Sequence, residues 1–592
     1  MDLPARDEVS TEYRFDLTTI FGNPDEWKDA RDELLKRLEK LDQLATEPPE
    51  TTEGLEEILS ETEECYRLRQ RLDLYATLSK NVNADSESAA ERQRDFRDLE
   101  ASFDPVVGTV HRALGDLTDD DFTALIEPIE DYRYYAENLR SQARHVQSPA
   151  VETIIAEHGE VRSGPDRILR AITTEDFDSP EVKRPSGETV EIRPGNYQTE
   201  LSHPDRDYRR RVHEAYHTEH HRFAATTIRA SAEKLSAADT ESSIRGYDSI
   251  RERDLRGTYP ETGLEPAVPE SVHNTLLNAV RNNLGPYHRA QQLRQERLDV
   301  EKLRPWDRRV SLAEQPAPDL DYEGALELVI DSLTPLGEDY VDRARNFLHD
   351  RRIDVYPTQN KRTDIPAYCP SSAPDGAFVL ANFRGDVRTM FIIAHELGHA
   401  LNVVYHRDGP ARYATSPSAV CEVPSILHEL LLAEECMQEG GSLAAHAQNR
   451  LVECVAGNLY RNARTAAYNH ALAMKIESGE ELTPENARDI YNDLLDEFDP
   501  VYEREGVIDR VGGIGIRIPY SSYQYVLGAT GALAVRDSLK ENLVSPNEYQ
   551  QFLRQTGHRP PLDAFSAIDL DIQSVGPFER ATAKFDSYLD DL

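Results

Sequence analysis

The sequence predicts a mainly α protein of two or more lobes, with a small β-sheet beside one buried helix. Three observations carry this. The chain has 592 residues, too many for one compact core. Leu, Tyr and Ala recur at helical spacing over long stretches. One apolar segment, Thr389 to His406, follows two short strand-like runs.

From Pro24 to Arg144 the chain reads as helix after helix. "DEWKDARDELLKRLEKLDQL" and "TEECYRLRQRLDLYATLSK" set apolar residues at helical spacing between charges, and prolines fall mostly in the connections. "GETVEIRPGNY", Gly187 to Tyr197, interrupts with β-like alternation at Val190 and Ile192 before Pro194 and Gly195 turn the chain. A boundary is placed there, between a helical lobe at 1–190 and a second domain at 191–592 that holds the segment Thr389 to His406. Helical segments resume from Pro204 to Leu303, and "AEQPAPDLDYEG" connects to a further helical run. "IDVYP" (Ile353 to Pro357) and "AFVLANF" (Ala377 to Phe383) then suit strands, and Gly385 and Asp386 offer a turn and an N-cap.

Charge narrows the partners. With 108 acidic residues against 67 basic ones the formal charge is −41, a field that repels nucleic acid and anionic membranes. Only 11 of the basic residues are lysine. Such a surface resembles that of a halophilic protein, screened by concentrated cations. Five cysteines form no CxxC pair, and no apolar run of about 18 residues or apolar leader occurs, so a reduced, cytoplasmic setting is expected.

The segment "TMFIIAHELGHALNVVYH" holds His395-Glu396-Leu397-Gly398-His399, an HExxH motif. On a helix, positions i and i+4 share a face, so both imidazoles can aim at one metal ion. Phe391, Ile393, Leu397, Leu401 and Val404 make the helix apolar nearly all round, and buried polar groups there need partners. A catalytic zinc site has three protein ligands and an open position. In HExxHxxGxxH the glycine would fall at Asn402 and the third histidine at Tyr405, so that pattern fails. "SPSAVCEVPSILHELLLAEE" offers Glu422 instead, on a second apolar helix expected to begin near Ser416 and Pro417. Glu429, two turns on, suits an acceptor for an imidazole N–H. Two imidazoles and one carboxylate leave Zn2+ positive enough to acidify a water, and Glu396 is expected to be the general base. Cys421 is read as packing.

These residues resemble the zinc oligopeptidases typified by oligoendopeptidase F and thimet oligopeptidase. "YRFDLTTIFGNPDEW", "LDLYATLSKNVNADS", "IDVYPTQNKRTDIPAY", "FVLANFRGD", "HELGHA" and "EVPS" resemble segments of that family in the same order. The resemblance implies a two-lobed helical ellipsoid with a deep substrate channel, the metal near its floor, Glu422 as third ligand, and internal cleavage of short oligopeptides. A dipeptide-releasing exopeptidase and a zinc-containing peptide binder with weak catalysis stand as alternatives. The family usually has a histidine where Asn402 stands, and another after an "IP" pair near the carboxy terminus. Here the pair is Ile518-Pro519, followed by Tyr520, Tyr523 and Tyr525. Tyr525 matches the family's catalytic tyrosine best, with Tyr523 and Tyr520 next, as donors to an oxyanion. Gly512, Gly513 and Gly515 are expected to form a loop lining the channel. Lys361, Arg362 and Tyr368 are expected peptide contacts.

Overall fold

The structure is a computed structural model that describes residues 3–256, 268–313, 316–414, 416–506 and 520–590. The expected loop at Gly512, Gly513 and Gly515, with Ile518-Pro519, lies outside the described residues. The fold is mainly α, and its strands are few and short.

Three long helices open the chain: α1 (Pro24–Leu44), α2 (Thr52–Val82) and α3 (Glu87–Gly115). Each starts on a side-chain cap, from Asn23, Thr51 and Ser86. Their apolar stripes meet in one core that contains Trp27, Leu34, Leu59, Leu72, Phe96 and Phe103, and the Trp27 indole donates to the Leu72 carbonyl at 3.1 Å. The interruption predicted near Gly187 is a hairpin, β1 (Glu181–Lys183) with β2 (Thr189–Glu191), turned at Gly187 with φ +95°. It covers a small separate core of Val182, Ile192, Tyr197, Tyr208, Tyr216 and Trp306.

The second strand region forms a three-stranded sheet of β3 (Ile353–Asp354), β4 (Ala367–Tyr368) and β7 (Val379–Ala381), with β7 in the middle, and a hairpin of β5 (Ser371–Ser372) and β6 (Gly376–Ala377). The predicted run Ala377 to Phe383 is thus two pieces, because the chain changes partner: the Phe378 N–H still donates to the Pro370 carbonyl beside the hairpin, whereas the Val379 N–H donates to the Arg352 carbonyl beside β3. Side chains alternate along β7. Val379 and Ala381 enter the large carboxy-terminal core, whereas Phe378 and Leu380 enter the core of α1 to α3.

Lys361 is fully buried beneath this sheet, 2.8 Å from the Asp354 carboxylate and hydrogen-bonded to the carbonyls of Asp354, Tyr356 and Ala381. Every ammonium proton is spent on the fold, so Lys361 is a structural cation and not the peptide contact expected of it. Arg362 pairs with Asp364 at 3.0 Å and stacks on Tyr368, whose hydroxyl meets Asn81.

The large core is built on α4 (Val387–His406), α5 (Glu422–Glu439), α6 (Gly441–Val455), α7 (Asn462–Glu477) and α8 (Tyr523–Lys540). Asp386 caps α4 on the Thr389 N–H at 2.7 Å, after Gly385 turns the chain at φ +76°. From Glu422 to Ala433 every residue of α5 is buried, since α4 packs on one side and α8 on another. A Cβ on Gly398 would lie 2.6 Å from the Ser425 Cα, and one on Gly528 would lie 2.3 Å from the Glu422 Cβ. Only glycine allows these helices to approach so closely. Among the described residues no helix is long and apolar enough to cross a membrane.

Candidate metal centre

The i, i+4 spacing brings His395 and His399 together, with ring centroids 4.9 Å apart. The helix that carries Glu422 begins at Glu422 itself and not near Ser416, because the backbone turns first, the Pro417 carbonyl accepting from Val420 and Cys421. The Glu422 carboxylate therefore leaves the start of α5 and reaches both imidazoles. Its Oε2 lies 3.4 Å from His395 Nε2 and 3.5 Å from His399 Nε2. In a tetrahedral site with bonds of about 2.0–2.1 Å, neighbouring ligand atoms stand about 3.4 Å apart. The donor set fits a small divalent cation, and among the described residues it is the one His/Cys/Asp/Glu group that does. Both imidazoles keep about a fifth of their surface exposed, so the centre faces solvent on one side.

Behind the donors stands a chain of supports. Glu429 Oε1 accepts from His395 Nδ1 at 3.0 Å, which turns Nε2 towards the centre, and Arg450 holds Glu429 at 3.2 Å. Ser425 Oγ donates to Glu422 Oε2 at 2.8 Å. His428 is a strut. Its Nδ1 meets the Ala394 carbonyl at 3.0 Å and its Nε2 the Tyr340 hydroxyl at 2.7 Å, tying α5 to α4. Arg450, Ser425 and Gly528 were not legible as site residues, and only Ser425, three residues after a ligand on a helix, carried a local signal.

The electrostatics of the donors call for positive charge between them. Burial works against the Glu422 carboxylate, yet His399, His395 and Ser425 hold it down at about 2. Burial also opposes charge on His395, but Glu422 and Glu429 outweigh it and raise the imidazole well above its usual range. His399 is pushed down to about 4 by burial, with His395 adding repulsion. Glu396 shares the helix but not the donor cluster. Burial lifts its carboxyl to about 7, with Glu422 and Glu429 adding to the rise and His395 opposing it. That value suits a group that takes and returns a proton near neutrality.

The three tyrosines separate. Tyr525 is half-buried, and its phenol is pushed up first by the Glu422 charge, then by burial, Cys421 and Glu396, so it stands within the field of the centre. Tyr520 is buried and donates towards His470 Nδ1 at 2.8 Å, among Glu477, Arg251 and Glu270. Tyr523 is buried against His273. Residues two apart on α8 point about 200° apart, which is why Tyr523 and Tyr525 diverge. Cys421 donates its thiol to the Ser418 carbonyl at 3.2 Å. Asn402 donates to Ser416 at 2.6 Å and Tyr405 to Asp339 at 3.1 Å, both away from the donors.

Comparisons with known proteins point the same way as this arrangement. The family model described as Peptidase family M3 matches residues 200–584, and that described as Oligopeptidase F matches residues 114–178. Oligopeptidase PepF of Bacillus subtilis is 25% identical over 100% of this chain and 88% of its own length. Group B oligopeptidase PepB of Streptococcus agalactiae is 23% identical over 99% of this chain and 98% of its own. The crystal structure of oligoendopeptidase-F from Enterococcus faecium superposes with a TM-score of 0.68 at 20% identity, covering 96% of this chain and 99% of that one.

Proposed function

The chain belongs to peptidase family M3, whose members are metallopeptidases, and from that premise we propose that it is a zinc-dependent endopeptidase acting on internal bonds of short, unstructured oligopeptides. His395, His399 and Glu422 would hold the ion. Bound there, zinc supplies Lewis acidity, polarising a peptide carbonyl and acidifying a water.

The observation that carries the reading is the donor set itself, Glu422 Oε2 at 3.4 and 3.5 Å from the two imidazoles, with the buried Glu396 carboxyl one residue from a donor. Glu396 takes the proton of the attacking water and passes it to the amine that leaves, so one group serves both halves of the hydrolysis. Tyr525 donates to the oxyanion that develops on the former carbonyl. β7, the main piece of the predicted strand Ala377 to Phe383, is paired on both sides, so an extended peptide would add instead to β4 at the edge of the sheet, through main-chain groups and without strict side-chain selection.

The test is hydrolysis of an internally quenched peptide of roughly ten residues, a length that can add a strand to an exposed edge. Wild type and Glu396→Gln are compared in molar salt with zinc, with the peptide blocked at both ends. The reading requires internal cleavage by wild type and retained metal with lost turnover in the variant. No cleavage of the blocked peptide, together with release of dipeptides from the same peptide unblocked, would replace it with an exopeptidase. Binding without cleavage by wild type would leave a peptide binder.

A further inference from the structure

α4 is buried on all but one stripe. From Val387 to Asn402 every residue is buried except Arg388, Ile392, His395 and His399. Steps of four, three and four keep these side chains on one face of a helix, so the open face that presents the two imidazoles also presents Arg388. Arg388 precedes His395 by seven residues. That is about 10 Å along the helix axis. An extended peptide rises about 3.3 Å per residue. A peptide lying along α4 with its scissile carbonyl at the donors therefore brings a group about three or four residues away to the Arg388 guanidinium, with Ile392 lining the interval.

No carboxylate of the fold is folded onto this cation. Among the described residues Arg388 makes no ion pair and no hydrogen bond. Asp386 attracts it, but that carboxylate is committed to the helix cap, accepting from the Thr389 N–H at 2.7 Å and the Thr389 hydroxyl at 2.9 Å. Arg450 approaches from α6 and adds repulsion; its Nη2 donates to Glu429 at 3.2 Å, and its guanidinium rests over the Phe391 ring at 5.5 Å. Burial and the Arg450 charge accordingly hold the Arg388 guanidinium below its ordinary value. A partly buried charge without a counterion is costly, and 108 acidic residues against 67 basic ones leave no general shortage of carboxylates to pair it. The open face has a use for a free cation. Every peptide with an unblocked carboxy terminus carries a carboxylate that a chain of formal charge −41 repels, and Arg388 offsets that repulsion locally.

We propose that Arg388 is a specificity-determining residue that binds a carboxylate of the peptide substrate, about three or four residues from the bond that is cut, either the carboxy-terminal group or an Asp or Glu side chain. The assignment rests on the endopeptidase reading of the same open face and adds a substrate preference to it. The guanidinium can donate two parallel N–H groups to one carboxylate, and no bond within the fold has to break first.

Affinity tests this apart from catalysis. The full chain carrying Glu396→Gln, loaded with zinc and held at fixed ionic strength, is titrated with a neutral fluorescent peptide of roughly ten residues blocked at both ends. Further versions carry one Glu at each successive position, and one has a free carboxy terminus. One or two adjacent Glu positions, or the free terminus, should tighten binding about tenfold, as one charged hydrogen-bonded pair does. A gain from the terminus alone identifies the terminal group as the ligand, and a gain from an internal Glu identifies the side chain. Adding Arg388→Met should remove the gain and Arg388→Glu should reverse it, whereas Arg384→Met should leave it in place. The melting temperature of Arg388→Met should match its parent, since no hydrogen bond or ion pair is lost. No gain at any position, or a gain that survives both Arg388 substitutions, would overturn the assignment. Turnover of the same peptides by wild type is read separately, so a chain that binds carboxylates through Arg388 and cuts nothing refutes the endopeptidase reading alone.

Discussion

Replacing Gly528 by Ala perturbs the metal centre from behind. The added Cβ would sit 2.3 Å from the Glu422 Cβ and 3.0 Å from the Glu422 carbonyl carbon. Carbon atoms in contact settle at about 3.5–4.0 Å, so the two must part by more than about 1 Å. α5 cannot slide away, since Ser425 and Pro424 already press on Gly398. The Glu422 side chain therefore moves, and with it the 3.4 and 3.5 Å spacings to the imidazoles. Gly528 has an ordinary helical φ, so alanine relieves the helix by about 1 kcal/mol while overpacking costs about 1–3 kcal/mol. The variant should stay folded and bind zinc about 10–100-fold more weakly. Competition against a chromophoric chelator measures the affinity, and circular dichroism the helix content. Gly531→Ala is the control. Its Cβ would press on Val423 Cγ2 at 2.7 Å and Phe565 Cε1 at 3.3 Å and not on Glu422, so stability should fall while zinc affinity hardly changes. Wild-type affinity in Gly528→Ala would refute the reasoning.

Other perturbations separate roles that the sequence alone ran together. Tyr525→Phe should lower kcat by about 10²–10³ by deleting an oxyanion donor, whereas Tyr520→Phe should leave kcat within a small factor; equal losses in steady-state assays would contradict this division. Lys361→Met should destabilise the chain by about 3 kcal/mol in urea titrations, at the low end for a broken buried pair because Arg6 still meets Asp354, while KM for peptides stays the same. His406 is fully buried and held neutral, its imidazole pushed down to about 3 by burial and by His558. The unfolded imidazole titrates near 6.5, so this group's penalty is absent above that pH and grows by about 1.4 kcal/mol per unit as pH falls towards 3. Unfolding free energies at pH 7.0 and 5.5 should differ by about 1 kcal/mol less in His406→Gln than in wild type. An identical difference in both proteins would remove His406 as the cause.

Local patterns carried the elements that local physics decides. The cap at Asp386, the helix after it and the shared face of His395 and His399 follow from i to i+4 geometry. Glu422 could be picked out because an apolar helix tolerates a carboxylate only with a partner. Misplacement came where two local signals competed. Ser416 and Pro417 look like a helix start, but the chain spends them on a turn, and α5 begins at Glu422. Lys361 resembled a surface contact because its partners, Asp354 and the Ala381 carbonyl, come from strands brought together only in the tertiary fold. Tyr520, Tyr523 and Tyr525 form one run in sequence, and only the start and phase of α8 tell which of them looks at Glu422. Gly528 and Arg450 act through helices about a hundred residues and twenty residues away in sequence, at contacts that periodicity does not encode.

β7 and the residue before it belong to two cores at once, with Phe378 and Leu380 in the core of α1 to α3 and Val379 and Ala381 in the large core. On the ribosome this reverses the usual order. The first lobe of a growing chain ordinarily closes as soon as it has emerged, at about 5–20 residues per second. Here α1 to α3 are complete by Gly115, yet the plug for their core is synthesised some 260 residues later, and Tyr413 later still. Until then the core of α1 to α3 lacks Phe378, Leu380 and Tyr413, so its completion waits on residues from the second half of the chain.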